Sequence, residues 1–294
     1  MKQKRILSVQ DISCFGKCSN TVALPVLSAA DIETVILPTA LLSNHTGGFA
    51  GYTFLDLTDE MHRIMEQWVK TDLKFDVIYT GYFGSAAQLD DVAAHKDALL
   101  AEGGFTLVDP VMGDGGRLYS IYDDAFVDAM RQFCRGADMI TPNVTEACLL
   151  AGIPYAGERY DADRMNALLS ALAELGCGTV VITGVRFGEE EIGVICREKS
   201  AERPFTLSAP RSDAPLHGTG DVFASALAAY RMNGFPLREA LQKTVRFVSA
   251  AIRDTEEVLR DHWYGLKFEG SLALLCDDIR RKRLEDAMKK EIES

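Results

Sequence analysis

The chain reads as an α/β protein built on a central, mostly parallel sheet with helices on both faces, and three observations predict this. Short β-rich runs alternate with longer helical patterns through most of its 294 residues, the signature of right-handed βαβ units. No Pro/Gly/Ser-rich linker or low-complexity stretch divides it, and 47% hydrophobic content supplies a large core, so one domain over 1–294 is expected. Polar strings recur where strands give way to helices, the rim on which such sheets bind ligands.

Along the chain, Arg5–Gln10 is the first strand and Asn20–Ala30 the helix that returns it. Thr34–Thr39 leads to a helix at Asp59–Leu73, Val77–Tyr82 to Ser85–Glu102, and Phe105–Val111 to Asp123–Phe133. Met139–Thr141 leads to Val144–Ala151 and Asp161–Leu175. A helix-bearing connection after each strand is what a parallel neighbour requires. The runs Thr179–Val185, Ile192–Arg197 and Phe205–Ala209 follow, and no helix separates the last two, which predicts an antiparallel edge. The chain closes with helices at Asp221–Met232, Leu237–Asp254 and Ser271–Ile292. The last, charged helix (about 271–294) carries Arg280-Arg281-Lys282-Arg283 and reads as a solvated face or a dimer contact.

A formal charge of −12, from 31 basic and 43 acidic residues, disfavours nucleic acid and anionic membrane as partners. The basic start MKQKRILS has too short an apolar stretch for a signal peptide and no run reaches membrane-spanning length, so a cytoplasmic protein is expected. Seven cysteines, an odd and scattered number, fit reduced thiols better than a disulfide framework. Cys14 and Cys18 have no second pair or nearby histidine to complete a zinc set and read as small residues in a loop.

The most informative string is His217-Gly218-Thr219-Gly220-Asp221, which runs directly into the apolar helix pattern Val222–Tyr230. At a helix start the first N–H groups have no intrahelical partner and the dipole is positive, which suits a phosphate. Taken alone, the string also fits a glycine-rich turn with Asp221 as N-cap. Two familiar nucleotide motifs fail. Cys18 stands where a P-loop has its Ser/Thr after Gly16-Lys17, and Phe223 stands where a dinucleotide fingerprint needs its third glycine.

A late Gly-x-Gly-Asp cradle combined with Asp109/Asp114 and Asn143/Glu146 resembles the ribokinase superfamily, and within it the pyridoxal kinase branch. The resemblance runs through Ser43-Asn44-His45-Thr46-Gly47, Thr80-Gly81-Tyr82, Asp109-Pro110-Val111-Met112-Gly113-Asp114, Ile140-Thr141-Pro142-Asn143 with Glu146, Val181-Ile182-Thr183, and Gly218–Asp221. It implies a ribokinase-like three-layer α/β/α sandwich and an ATP- and Mg2+-dependent kinase that phosphorylates the 5'-hydroxymethyl group of a vitamin B6 vitamer. It also implies a homodimer. Potassium or sodium activation occurs in the superfamily and is not legible in these residues.

By this resemblance Asp221 is the catalytic base, and Gly218, Thr219 and Gly220 form the anion hole, where larger side chains would obstruct the phosphoryl group. A helix N-terminus is expected to lower the Asp221 pKa, which loose phosphoryl transfer tolerates. Asp114, Asn143 and Glu146 belong with the nucleotide, Asp114 and Glu146 near the metal. Asn143 with Glu146 is also a capping-box pattern, and the two roles can coexist. Thr183 and Gly184 line the nucleotide side, where Tyr119 packs on ribose or adenine, or else in the core. The vitamer side falls to Asp11, Thr46 and Tyr82 with His45 nearby, an aromatic wall for a flat ring. Histidine before a glycine turn is also a common local hydrogen-bonder, and Gly47, Gly48 and Gly51 make a pliable flap or an ordinary surface loop.

One departure bears on the substrate. Better-known pyridoxal kinases have Ser-His after the first strand's Gln, whereas this chain has Asp11-Ile12 and then Ser13. A carboxylate there pairs with a pyridinium nitrogen or an amine and gains nothing from an aldehyde, which favours pyridoxamine or pyridoxine. The rival readings are a hydroxymethylpyrimidine kinase of thiamin biosynthesis and a non-catalytic nucleotide-binding regulator.

Overall fold

The structure, a computed structural model, describes residues 3–214 and 216–293. A nine-stranded sheet has the order β11-β10-β9-β8-β5-β4-β1-β2-β3. β1 (Arg5–Phe15), β2 (Glu33–Asn44), β4 (Phe75–Thr80), β5 (Leu100–Val108), β8 (Met139–Ile140) and β9 (Thr179–Arg186) are mutually parallel. β10 (Glu191–Glu198) and β11 (Phe205–Pro210) add the antiparallel edge that the missing helix predicts. The opposite edge is β3 (Phe54–Asp56), antiparallel to β2.

Alternate residues along the parallel strands enter different cores, because successive side chains point to opposite faces. Ile6, Val77, Tyr79 and Val181 pack with α1 (Asn20–Ala29), α7 (Thr219–Met232), α8 (Leu237–Glu256) and α9 (Leu272–Glu293). Leu7, Ile78, Val180 and Ile182 pack with α2 (Thr58–Lys70), α3 (Ala86–Leu99), α4 (Asp124–Phe133), α5 (Val144–Ala151) and α6 (Ala162–Ala173). The result is the three-layer sandwich that the sequence resemblance implies. α7 is apolar almost all round because it is wedged between α1 and α8 as well as against the sheet.

The structure departs from the sequence reading at the ends of elements. β1 runs on to Phe15, so Cys14 lies in a strand and not in a loop. β4 stops at Thr80 and β5 covers Leu100–Val108, short of Val111. β3 and the hairpin of β6 (Gly113–Asp114) with β7 (Arg117–Leu118) have no counterpart in the sequence expectation, because two- and three-residue ladders show no usable periodicity.

Candidate active site

The carboxyl ends of the strands gather the polar strings. After the apolar run of β1, Asp11 is buried and its Oδ2 accepts from Ser13 Oγ at 2.8 Å. Burial raises its pKa, opposed by the hydroxyls of Ser19 and Ser13. Ser19, just ahead of α1, has φ of 50°, a left-handed conformation that strains a non-glycine residue. From there its N–H donates to Asp221 and its hydroxyl serves Asp11. Sequence reasoning missed this residue. A serine before a helix looks like an ordinary N-cap, yet its side chain makes no capping bond.

Asp221 is not an N-cap. α7 begins at Thr219 with Gly218 capping it at φ 77°, which places Asp221 inside the first turn. The expected lowering of its pKa is also reversed. Burial pushes it up to about 7, the Ser19 N–H opposing the rise and the charge of Asp11 adding to it. The carboxylate is surrounded by protein with a partial opening to solvent, and desolvation outweighs the half charge at the helix end.

The two glycines of the cradle serve different ends. A Cβ on Gly218 would collide with the carbonyl oxygen of Lys17, and its φ is left-handed, so the fold itself demands glycine there. This backbone demand adds to the room for a phosphate expected of the same glycine from the sequence. Gly220 is exposed, and a Cβ there would lie 3.7 Å from Asp109 Oδ2 in ordinary contact. Glycine at 220 leaves the N–H groups at the start of α7 open to an anion.

Beyond the carboxyl ends of β5 and β8, Asp109 and Glu146 are buried. Burial raises the Asp109 carboxyl well above the usual range, with Glu146 and Asp221 adding to it. The capping box on α5 is present. Asn143 Oδ1 accepts from Glu146 N at 2.9 Å and Glu146 Oε2 from Asn143 N at 2.8 Å. Glu146 Oε1 also accepts from Met112 N at 3.1 Å, and Asn143 Nδ2 donates to Gly113 O at 2.8 Å. Burial carries the Glu146 pKa to about 8 against these N–H donors. Asn143 thus holds Glu146 and the β6–β7 hairpin in place. Asp114 is exposed on that hairpin, where its Oδ1 accepts from Gly115 N at 2.8 Å. Tyr119 is 43% exposed, which removes the core reading. Thr183 lies within β9, bridged to Asn143, and Gly184 follows at φ 72°.

On the opposite side Tyr82 is half-buried, its phenol pushed up first by burial and then by Asp11. Thr46 is exposed on the loop after β2. Gly47 N donates to His45 Nδ1 at 3.1 Å, so His45 Nε2 carries the proton and donates to Tyr264 O at 2.7 Å. Both nitrogens are engaged with backbone, the structural role weighed for this histidine. The neighbouring glycines are not a source of slack. A Cβ on Gly47 would meet His217 at 2.7 Å, and one on Gly48 would meet Trp263 at 2.9 Å. The loop is pinned by Phe49, whose ring lies 4.7 Å from Trp263 and 4.9 Å from His45. Only Gly51 faces open space.

The site therefore has two lobes meeting at the start of α7. The charge of Asp221 is felt by Asp109 on one side and that of Asp11 by Asp221 on the other. Among the described residues, no three site carboxylates converge closely enough to hold one ion by themselves. Glu146 and Asp221 both repel the Asp109 carboxylate and Asp114 repels Glu146, an acidic surrounding in which Asp114 and Glu146 suit a hard dication held through a carboxylate, waters and phosphate oxygens.

A three-layer sandwich with an anion cradle at a late helix and an acid at its third position defines a phosphotransferase acting on an alcohol. The chain belongs to the phosphomethylpyrimidine kinase family, whose model matches residues 24–264. A Bacteroides thetaiotaomicron protein named for that kinase and crystallised with pyridoxal is 36% identical, with a TM-score of 0.88 over 93% of this chain and 96% of its own. The pyridoxal kinase of Lactobacillus plantarum is 32% identical, with a TM-score of 0.85 over 92% and 96%. A Leishmania donovani pyridoxal kinase solved with ADP and pyridoxamine is 25% identical, with a TM-score of 0.81 over 93% and 96%. A thiamine biosynthesis bifunctional protein of Geobacter sulfurreducens is 30% identical over 79% of this chain, which spans 47% of that protein's length. These likenesses place the chain on the pyridoxal kinase branch of the ribokinase-like fold.

Proposed function

We propose that the chain transfers the γ-phosphoryl group of ATP to the 5'-hydroxymethyl group of a vitamin B6 vitamer, acting as a single domain over 1–294. The observation that carries this is the position of Asp221, buried at the cradle with its pKa near 7 and within charge range of both lobes. Asp221 takes the proton from the attacking hydroxyl, and Gly218, Thr219 and Gly220 N–H groups stabilise the transferring phosphoryl oxygens. Asp114 and Glu146 would hold Mg2+, and Tyr119, Thr183 and Gly184 line the nucleotide. When bound, the ion supplies charge neutralisation at the phosphates. Asp11, Thr46 and Tyr82 face the vitamer, beside the pinned loop that carries His45.

The buried, solvent-poor carboxylate of Asp11 favours a cationic partner, which supports pyridoxamine or pyridoxine over pyridoxal. ADP release is expected with B6 vitamers, and Asp11→Ser should reorder their kcat/KM values. Release with hydroxymethylpyrimidine alone would establish the thiamin reading, the absence of release with every candidate alcohol the regulator, and an unchanged order would remove Asp11 from the argument. A homodimer is supported by the apolar β2–β3 edge, where Leu41, Phe54 and Leu55 are 39%, 45% and 56% exposed. A cytoplasmic location accords with the free cysteines. Among the described residues no helix is long and apolar enough to cross a membrane.

A further inference from the structure

The seam between α2 and α3 carries chemistry that phosphoryl transfer does not use. α2 buries Met61 and Met65, and α3 buries Leu89 and Val92. That packing brings the outward faces of the two helices together. Each contributes donors one turn apart: His62 and Glu66 on α2, Asp91 and His95 on α3. His62 Nδ1 lies 2.8 Å and His95 Nδ1 3.3 Å from Asp91 Oδ1, and the imidazole centroids are 5.4 Å apart. Among the described residues this is the one His/Cys/Asp/Glu group of three whose ligand atoms all lie within 4.8 Å of one another.

We propose that His62, Asp91 and His95 form a binding site for a borderline transition-metal dication, of which Zn2+ is the representative, clipping α2 to α3. Two imidazoles and a carboxylate form the donor set that such ions take, with remaining positions filled by water. Three further observations support it. Asp91 Oδ2 is shut off from solvent and has no hydrogen-bond partner, so the carboxylate holds donor capacity in reserve. An open groove of about 370 Å³, lined by Thr58, Asp59, His62, Arg63, Ala87 and Asp91, gives an ion entry and room for its waters. Glu66, whose other oxygen pairs with Lys70, places Oε1 3.7 Å from His62 Nε2, and Asp59 and Asp91 outnumber Arg63 along the groove. Binding exchanges the bond between His95 Nδ1 and Asp91 O, now 2.9 Å, for a metal bond, so the imidazole rather than imidazolium form is the ligand.

The test uses full-length protein stripped with a chelator and titrated with ZnCl2 by calorimetry, and with CoCl2 by visible absorption. The expected result is one saturable ion per chain, with no thiolate charge-transfer band in the cobalt spectrum. Tm should rise by about 5 °C at a hundredfold excess over Kd. His62→Ala and His95→Ala should each weaken binding roughly tenfold or more. Both should keep wild-type kinase activity without added zinc, which shows that they fold. Unchanged affinity in the double variant, a thiolate band, or no saturable binding would overturn the proposal.

Discussion

Asp221→Asn should stabilise the protein while abolishing turnover. The carboxyl titrates at 3.8 in an ordinary environment and at about 7 here. At 1.36 kcal/mol per unit, holding it ionised above pH 7 costs about 4 kcal/mol. Its partial opening to solvent reduces that to about 2 kcal/mol. Asparagine removes the charge and keeps an oxygen for the Ser19 N–H, so the variant should gain about 1–3 kcal/mol at pH 8, or roughly 2–6 °C in Tm. The sign follows from proton binding. Between the two pKa values the folded wild type holds a proton that the unfolded chain has released, so wild-type stability falls as pH rises from about 4 through about 7. The advantage of the variant should therefore shrink as pH is lowered toward 4. Urea denaturation of both proteins at pH 5 and pH 8 reads this directly, and coupled ADP release should show a kcat loss of about 100-fold or more. A variant less stable than wild type at pH 8, or a gap independent of pH, would refute the burial argument. Turnover above about a tenth of wild type would remove the base role.

Gly218→Ala should lose activity together with stability, because the new methyl meets the Lys17 carbonyl and φ stays left-handed, whereas Gly220→Ala should keep wild-type Tm and lose kcat; paired thermal melts and kinetics separate the two. Glu146→Gln should raise the KM for ATP, since an amide N–H2 would face the N–H of Met112 or Asn143 and shift the side chain; an unchanged KM would detach Glu146 from the nucleotide. Asp278→Ala should destabilise by about 3 kcal/mol with kcat unchanged, because the buried carboxylate joins Tyr230 on α7 to Lys243 and Arg246 on α8. Denaturant midpoints check it.

Much of the architecture was legible along the chain because period and punctuation are local. The βα alternation, the antiparallel edge and the capping box of Asn143 with Glu146 need only neighbouring residues to specify them. The Gly218–Asp221 string was legible for the same reason, since a helix start announces its free N–H groups in the residues that surround it.

What the tertiary structure decided were quantities set by residues distant in sequence. The direction of the Asp221 pKa is one of them. A helix start alone predicts a lowered value, and only packing against β1 and Ser19 buries the carboxylate enough to raise it. The demand for glycine at 218 comes from the carbonyl of Lys17, and the loop at Gly47 and Gly48 is held by His217 and Trp263. Ser19 as a bridge between Asp11 and Asp221, and the meeting of His62 with Asp91 and His95, likewise have no signature in spacing. Local sequence determines helix starts, strand periods and turns because those depend on short-range backbone bonding. Burial, electrostatic coupling and close approach depend on which distant segments share a volume, and that is settled only when the sheet brings them together.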